Sequence, residues 1–146
     1  MPTSPSSVKK WPGNSSIILT DLFNLAQSEL DQQLSSSNST EQPSKHLTWE
    51  YFRPGVEIHR LYGDLQQGPA AALLKYQPGA TVPNHEHTGY EHIVVLAGGQ
   101  SDHQGKHTAG SLIINLPGSS HNIVSENGCI VLIIWEKPIA VKALNV

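Results

Sequence analysis

The chain has little cysteine, little charge and no long apolar run. Cys129 is the only cysteine among its 146 residues, so no disulfide can form within the chain and nothing points to an oxidising compartment. Charged residues make up 14% of the sequence and the formal net charge is −3. This balance gives no electrostatic reason to expect binding to nucleic acid or to an anionic membrane surface. No apolar run approaches the roughly 20 residues that span a bilayer.

These absences favour a soluble cytoplasmic protein built on one domain. The first 16 residues contain no apolar stretch of the secretory type, so we expect no leader peptide. A chain of this length can bury a substantial core. Its 12 glycines and 10 prolines, together with the low charge, indicate a turn-rich β protein more than a helical one.

Residues 1–45 are predicted to form an N-terminal arm that contains one helix. Ser, Pro, Asn and Gly dominate residues 1–16, which we expect to be disordered or loosely packed. Thr20 can cap a helix over about residues 21–34. Docking on the domain or pairing in a dimer is the expected use of its apolar face, and binding to another protein is the alternative. Residues 35–44 have the composition of a linker. The apolar positions at helical spacing are Leu22, Phe23, Leu25, Ala26, Leu30 and Leu34.

From residue 46 onward, short apolar segments alternate with turn residues, and we assign residues 46–146 to one domain. Closely spaced strands without intervening helices predict an antiparallel sandwich or barrel. In the segment from Cys129 to Trp135 both alternating faces are apolar, so one face should meet the core and the other needs a cover. The helix, a second sheet or a dimer partner would provide it. The predicted turns are at residues 53–55, 64–68, 77–79, 98–100 and 117–118.

The stretch from Gly79 to Gly98 carries the strongest chemical pattern. His85 and His87 are two residues apart and would project from the same face of a strand. The residues 88–90 can turn the chain so that Glu91 joins them from the next strand. Two imidazoles and a carboxylate are ligands for a first-row transition metal such as zinc, iron, nickel or manganese. The alternative is a pair of solvated loop histidines, the more common situation for a bare His-x-His.

The spacing from Gly79 through His85, His87 and Glu91 to Gly98 matches the first sequence motif of the cupin family at every fixed position. The second cupin motif is matched in part, with glycines at 110 and 118 and a histidine at 121. Leu116 stands where that motif has proline, with Pro117 directly after it, and Ser125 stands where it has asparagine. The similarity covers roughly residues 46–138.

Within the cupins, the chain is most similar to the ChrR-type group, named for the cupin-like domain of a bacterial anti-sigma factor. The resemblance implies an all-β fold, a cupin double-stranded β-helix or jelly roll, here with a short N-terminal helical extension. It also implies that His85, His87, Glu91 and His121 bind one divalent metal (Zn, Fe, Ni or Mn). The similar segments include residues 49–50, 54–57, 73–80, 90–91, 95–96, 101–102 and 117–129.

Two functions follow from this resemblance. The first is a metal-dependent dioxygenase-type enzyme, with a small molecule bound in the barrel. The second is a ChrR-like zinc-binding sensor or regulatory module without catalytic activity. The ChrR resemblance raises a sigma factor as partner, but the region before residue 45 has no cysteine or histidine for a second zinc site, which argues against it. We expect a homodimer with neither a nucleic-acid nor a membrane partner; no catalytic residue can be assigned.

The remaining polar residues receive no functional role from the sequence. His92 should point away from Glu91, into packing or an interface. His103 and His107 flank a predicted turn and are expected in solvent, and Cys129 is expected to be an inert buried thiol. Glu50, Glu57 and Asp64 are expected to be solvated, His46 and His59 are left without a role, and Tyr51, Tyr62, Tyr76 and Tyr90 are open candidates for lining a pocket.

Overall fold

The computed structural model describes residues 16–35, 47–64, 66–137 and 139–140. Residues 1–15 of the predicted disordered arm and residues 36–44 of the predicted linker lie outside these residues, so the proposed division at residue 45 stays a prediction. The described part contains one helix and ten strands: α1 (Leu19–Ser35), β1 (Glu50–Arg53), β2 (Val56–Gly63), β3 (Ala70–Tyr76), β4 (Ala80–His87), β5 (Glu91–Asp102), β6 (Gly105–Thr108), β7 (Leu112–Asn115), β8 (Ser120–Ser125), β9 (Cys129–Trp135) and β10 (Ile139–Ala140).

The strands form one curled antiparallel sheet in the order β1-β2-β3-β9-β5-β8-β4-β10, with β6 and β7 paired to β5. The predicted all-β jelly roll with a short helix is therefore confirmed. Among the described residues, no helix is long and apolar enough to cross a membrane. The curl gives the sheet an inner face and an outer face, and alternation along each strand decides which side chains lie on which.

β5 is the longest strand and joins the two halves of the sheet. Its first part pairs with β7 and β9, and from Gly99 onward it pairs with β6 and β8. The sequence prediction of a turn at residues 98–100 was wrong, because the chain changes partners there without ending the strand. Gly98 has φ +75°, and a Cβ at this position would collide with the carbonyl oxygen of Gly128. Glycine therefore permits a bend in the strand that other residues would resist.

Alternating side chains of β9 divide between two apolar clusters. Val131 and Ile133 belong to the inner cluster, together with Ile58 and Ile93. Ile130 belongs to the outer cluster. The expectation that both faces of this strand are covered is therefore confirmed.

Helix α1 covers the outer face. Leu22, Ala26 and Leu30 are buried against residues of β3, β5 and β9, so the predicted docking on the domain is confirmed. The amide nitrogens of Asp21 and Leu22 donate hydrogen bonds to the carbonyl of Ile18. The helix consequently begins at Leu19, and Thr20, predicted as its cap, lies inside the first turn. The side chain of Leu34 is outside the described side chains.

One buried carboxylate ties α1 to the segment before β1. Glu29 lies on the buried side of the helix. Its Oε2 accepts a hydrogen bond from the Leu47 amide at 3.1 Å, and its Oε1 accepts one from Trp49 Nε1 at 2.9 Å. These two bonds fix the helix relative to the sheet in addition to its apolar packing.

Candidate metal centre

Four side chains from three strands converge on the inner face of the sheet. His85 and His87 extend from β4, Glu91 from the first position of β5, and His121 from β8. All four are buried, with at most 5% of any residue exposed. One potential ligand atom from each lies within 4.8 Å of the others. The structure therefore brings together all four residues that the sequence singled out.

Strand geometry explains why these positions meet. His85 and His87 are on the same face of β4, and exposed Glu86 is on the other. Residues 88–90 reverse the chain, which places Glu91 on the inner face beside His87. His121 is the direct cross-strand partner of His85 in the β4–β8 pairing. The cluster thus arises from β4, the start of the next strand β5 and the neighbouring strand β8.

Hydrogen bonds to carbonyls fix which ring nitrogen carries the hydrogen in two of the imidazoles. His85 Nδ1 lies 3.0 Å from the carbonyl oxygen of Pro83, and His87 Nδ1 lies 3.0 Å from that of Ser119. Carbonyl oxygens can only accept, so each Nδ1 must carry a hydrogen and donate it. In the neutral rings, the Nε2 lone pairs of both histidines then face the centre of the cluster, as in histidines that bind a metal through Nε2.

The inward-facing atoms are close together without enough hydrogens to pair them. His87 Nε2 lies 3.0 Å from Glu91 Oε1 but has no hydrogen-bond partner within the described part of the chain. His85 Nε2 lies 3.1 Å from His121 Nε2. A nitrogen lone pair facing a carboxylate oxygen requires a proton or a cation between them. The donor set and this unpaired buried nitrogen fit a divalent transition metal.

Glu91 is held in place by two neutral donors. Asn115 Nδ2 donates to Oε1 at 2.9 Å, and Trp135 Nε1 donates to Oε2 at 3.0 Å. Burial acts to raise the pKa of Glu91, but the neighbouring His87 and His85 and the Asn115 amide outweigh it and lower the pKa. The carboxyl group is therefore a carboxylate at neutral pH, the form that binds a metal.

Burial keeps two histidines neutral. It is the main cause of a lowered pKa at both His85 and His121, and for His121 the value is about 4. The adjacent imidazoles lower it further at His121, through His85 and His87. Neutral imidazole is the form that donates a lone pair to a metal.

A cavity of about 60 Å³ adjoins the cluster. His85, Glu91 and His121 form one part of its wall, and the rest is mainly apolar, with Phe52, Val82 and Ile123 among the contributing residues. One cationic residue, Arg53, also lines it. The cluster thus borders a small cavity whose walls are mainly apolar.

His46 lies outside the described residues. The other described histidines lie away from the cavity wall, and one of them differs from expectation. His92 is half-buried on the face of β5 opposite to Glu91, as predicted. His107 was expected in solvent, but it is half-buried, and its Nε2 lies 3.0 Å from Asp102 Oδ1. This carboxylate has a lowered pKa: burial opposes the shift, but the Gln104 amide and His107 outweigh it. His103 is exposed, as expected.

The other candidates are accounted for by burial and packing. Burial raises the pKa of the Cys129 thiol to about 12, which agrees with an inert thiol. His59, left without a role, is buried and donates from Nδ1 to the carbonyl of Thr48 at 2.9 Å. Tyr76 is buried in the inner cluster. Tyr51, Tyr62 and Tyr90 are exposed, as are Glu50 and Asp64, whereas Glu57 is half-buried with its Oε1 3.5 Å from Lys75 Nζ.

Three residues around the site were missed from the sequence. Arg53 was assigned to a turn, Trp135 to an apolar strand, and Asn115 to no role. Asn115 is the partner of Glu91 in the β5–β7 pairing, and Trp135 is its partner in the β5–β9 pairing. The strand pairing places Asn115 and Trp135 beside Glu91, and the sequence alone does not show this pairing. The one usable signal in the sequence was the single polar residue that ends the apolar segment Leu112–Asn115.

Comparison with known proteins agrees with this fold. Residues 39–137 match the family model of the ChrR cupin-like domain. A chain from the crystal structure of Rhodobacter sphaeroides SigE in complex with the anti-sigma ChrR is 28% identical, with a TM-score of 0.56. The match covers 64% of this chain and 51% of that one, so this chain spans about half the length of that relative. No curated protein sequence matches the chain.

Two further solved structures share the fold at lower identity. An RmlC-like cupin from Ralstonia eutropha is 22% identical, with a TM-score of 0.58 and coverage of 73% of each chain. An acetylacetone dioxygenase from Acinetobacter johnsonii is 13% identical, with a TM-score of 0.57 and coverage of 71% of this chain and 81% of that one.

Proposed function

Because the chain belongs to the family of ChrR cupin-like domains, we propose that it binds one divalent transition metal through His85, His87, Glu91 and His121. The observation that carries this proposal is the convergence of four buried donors whose ligand atoms lie within 4.8 Å of one another. The unpaired His87 Nε2 beside the Glu91 carboxylate supports it, because a cation would satisfy both groups. Zinc, iron, nickel and manganese all accept this ligand set.

We further propose that the cavity beside the cluster binds a small molecule, as in a dioxygenase-type metalloenzyme. A bound transition metal would supply Lewis-acid and, for iron, manganese or nickel, redox chemistry. The protein's own contribution is an apolar enclosure that limits water near the cluster and restricts the size of what enters. The solved acetylacetone dioxygenase of similar fold makes small diketones the first compounds to try.

A zinc-binding regulatory module is the second candidate. The 28% identity to a chain of the SigE–ChrR complex favours it. In this function the metal and the cavity would sense a ligand, and the response would pass to a partner protein. Tightly held zinc without oxygen uptake would support the regulatory function, whereas iron, manganese or nickel with oxygen uptake in the presence of a diketone would support the enzyme.

Elemental analysis of protein purified without chelators or metal-affinity resin tests the metal site. We expect one equivalent of metal in the wild type, and a large loss in Glu91→Gln and His87→Ala. His87→Ala should also melt at a lower temperature, because a bound ion stabilises the folded state.

His92→Ala is the matched control for these variants. This residue follows Glu91 directly but faces the other side of β5, so its removal should leave the metal content unchanged. Unaltered stoichiometry in His87→Ala would remove that residue from the site. Absence of metal from the wild type, after incubation with each of the four ions, would refute the proposal.

The homodimer stays a prediction. The exposed side chains of β7 support it, since Leu112 and Ile114 are 58% and 49% exposed, and apolar strand residues of this kind are often covered by a partner. Light scattering coupled to gel filtration measures the mass directly. A monomer at micromolar concentration would contradict the prediction.

A further inference from the structure

The cavity beside the metal cluster contains a cationic group whose role the proposed function leaves open. Arg53 ends β1, directly before the turn at Pro54–Gly55. Arg53 lines the cavity together with Phe52, His85 and Glu91. Besides burial, the charge of Arg53 lowers the pKa of His85, so the guanidinium lies near the proposed metal ligands.

Among the described residues, Arg53 has no counter-ion. Within the described ranges it forms no salt bridge, and its buried Nε has no hydrogen-bond partner. Arg60, seven residues later, shows the ordinary situation, because its Nη1 lies 2.8 Å from Glu50 Oε1. Leaving a buried guanidinium nitrogen unpaired is unfavourable, so the position favours a ligand that accepts hydrogen bonds.

The single carboxylate in the cavity wall is already engaged. Both oxygens of Glu91 accept hydrogen bonds, one from Asn115 and the other from Trp135, and Oε1 also faces His87. With a divalent ion bound, the three neutral imidazoles, Glu91 and Arg53 would sum to a charge of about +2 between apolar walls. Such an excess of positive charge favours an anion over a neutral molecule of the same shape.

Volume limits the size of this anion. At about 60 Å³ the cavity holds at most roughly four to six water-sized groups, since each needs at least about 10–15 Å³. A carboxylate with a two- or three-carbon skeleton has this size. Its two oxygens also match the fork of N–H donors on an arginine.

We infer that Arg53 is a specificity-determining residue that binds the carboxylate of a small organic acid beside the metal cluster. This inference rests on the proposed function for the placement of the ligand next to a metal, but the contribution of Arg53 depends on its own charge and hydrogen bonds. The ligand class is therefore a short carboxylate more than a neutral diketone.

The test compares glycolate with glycolamide, which have the same number of non-hydrogen atoms and differ in charge. Isothermal titration should show that wild-type protein binds glycolate about tenfold or more tightly than glycolamide, in line with a charge-assisted hydrogen bond. Arg53→Gln should lose this preference, and Arg53→Lys should keep part of it because it retains the charge. Arg60→Gln is the matched control and should bind like the wild type.

Metal content measured on the same samples separates this inference from the proposed function. If the wild type holds metal and Arg53→Gln binds glycolate as well as the wild type, the inference is overturned while the metal site stands. If the wild type holds no metal but still prefers glycolate in an Arg53-dependent way, the metal proposal fails and the anion site stands. Unfolding of Arg53→Gln would assign the residue a structural role and overturn the inference, because an unpaired arginine should not be needed for folding.

Discussion

At the scale of single residues, Glu91 is the carboxylate on which three other side chains of the site converge. It faces His87 and accepts hydrogen bonds from Asn115 and Trp135. The Trp135 bond is buried and links β9 to the first residue of β5. Groups of this kind orient a ligating carboxylate and set how strongly it binds.

Trp135→Phe should therefore weaken metal binding without removing a ligand. The substitution keeps an aromatic ring of similar shape but leaves Glu91 Oε2 without its donor. We expect metal affinity to fall about 10-fold or more, while one equivalent is still bound at saturating metal. Competition with a chromophoric chelator measures the affinity.

Trp49→Phe provides the comparison for this variant. Trp49 Nε1 also donates to a glutamate, but to Glu29 on the helix. Its loss should leave metal affinity at the wild-type value. Equal affinity in Trp135→Phe and the wild type would show that the indole does not orient the carboxylate.

The sequence revealed the ligands better than the residues around them. His85, His87 and Glu91 lie within seven consecutive residues, so local strand geometry is enough to bring them together. Trp135 and Arg53 reach the site only because distant strands pair or the sheet curls. Nothing in their own neighbourhoods distinguishes a tryptophan in an apolar strand, or an arginine before a turn, from structural residues.

At the scale of whole elements, α1 is the cover that the outer face of the sheet requires. Its buried side chains pack on Leu73, Leu96 and Ile130. An isolated helix of 17 residues would be marginal in water, so this packing and the bonds to Glu29 account for its stability. The helix touches the face opposite to the proposed metal ligands.

Leu30→Ala should consequently destabilise the protein without altering the metal site. Leu30 is 4% exposed, and truncating a buried leucine lowers the free energy of unfolding by about 2–5 kcal/mol. Urea denaturation measures the change, and Gln32→Ala on the exposed side of the same helix is the control. A loss of less than about 1 kcal/mol, a surface-like effect, would mean that the helix is only loosely attached.

Element boundaries were harder to predict than element types. The glycines at positions 98 and 99 have the composition of a turn, yet β5 passes through them and exchanges one set of partners for another. Local turn chemistry cannot distinguish a bend within a strand from its end, because both need the same backbone freedom. The apolar pattern of Cys129–Trp135, by contrast, correctly indicated a strand covered on both faces.

At the scale of the whole molecule, the buried histidines couple protonation to folding. Burial lowers the pKa of His85 and lowers that of His121 to about 4, from an ordinary value of 6.5. Between these values the unfolded chain binds more protons than the folded one. The contribution of these two histidines to the free energy of unfolding should therefore be complete above pH 6.5 and should be lost as pH falls towards 4.

Urea denaturation of chelator-treated protein at a series of pH values measures this dependence. His121→Gln should flatten the curve between pH 6.5 and 4, because one of the two groups is removed. Stability that stays constant or increases on acidification in the wild type would contradict the expected sign.

The direct pairing of His85 with His121 across β4 and β8 also affects how the barrel assembles. A slip of one residue in that pairing would turn one of the two imidazoles to the outer face, because side chains alternate along a strand. An ion that needs both histidines would bind only molecules in which these strands are correctly aligned. Metal binding during refolding would then select the correct strand register. It would stabilise only the correctly aligned chains, and the misaligned ones would remain free to unfold and pair again.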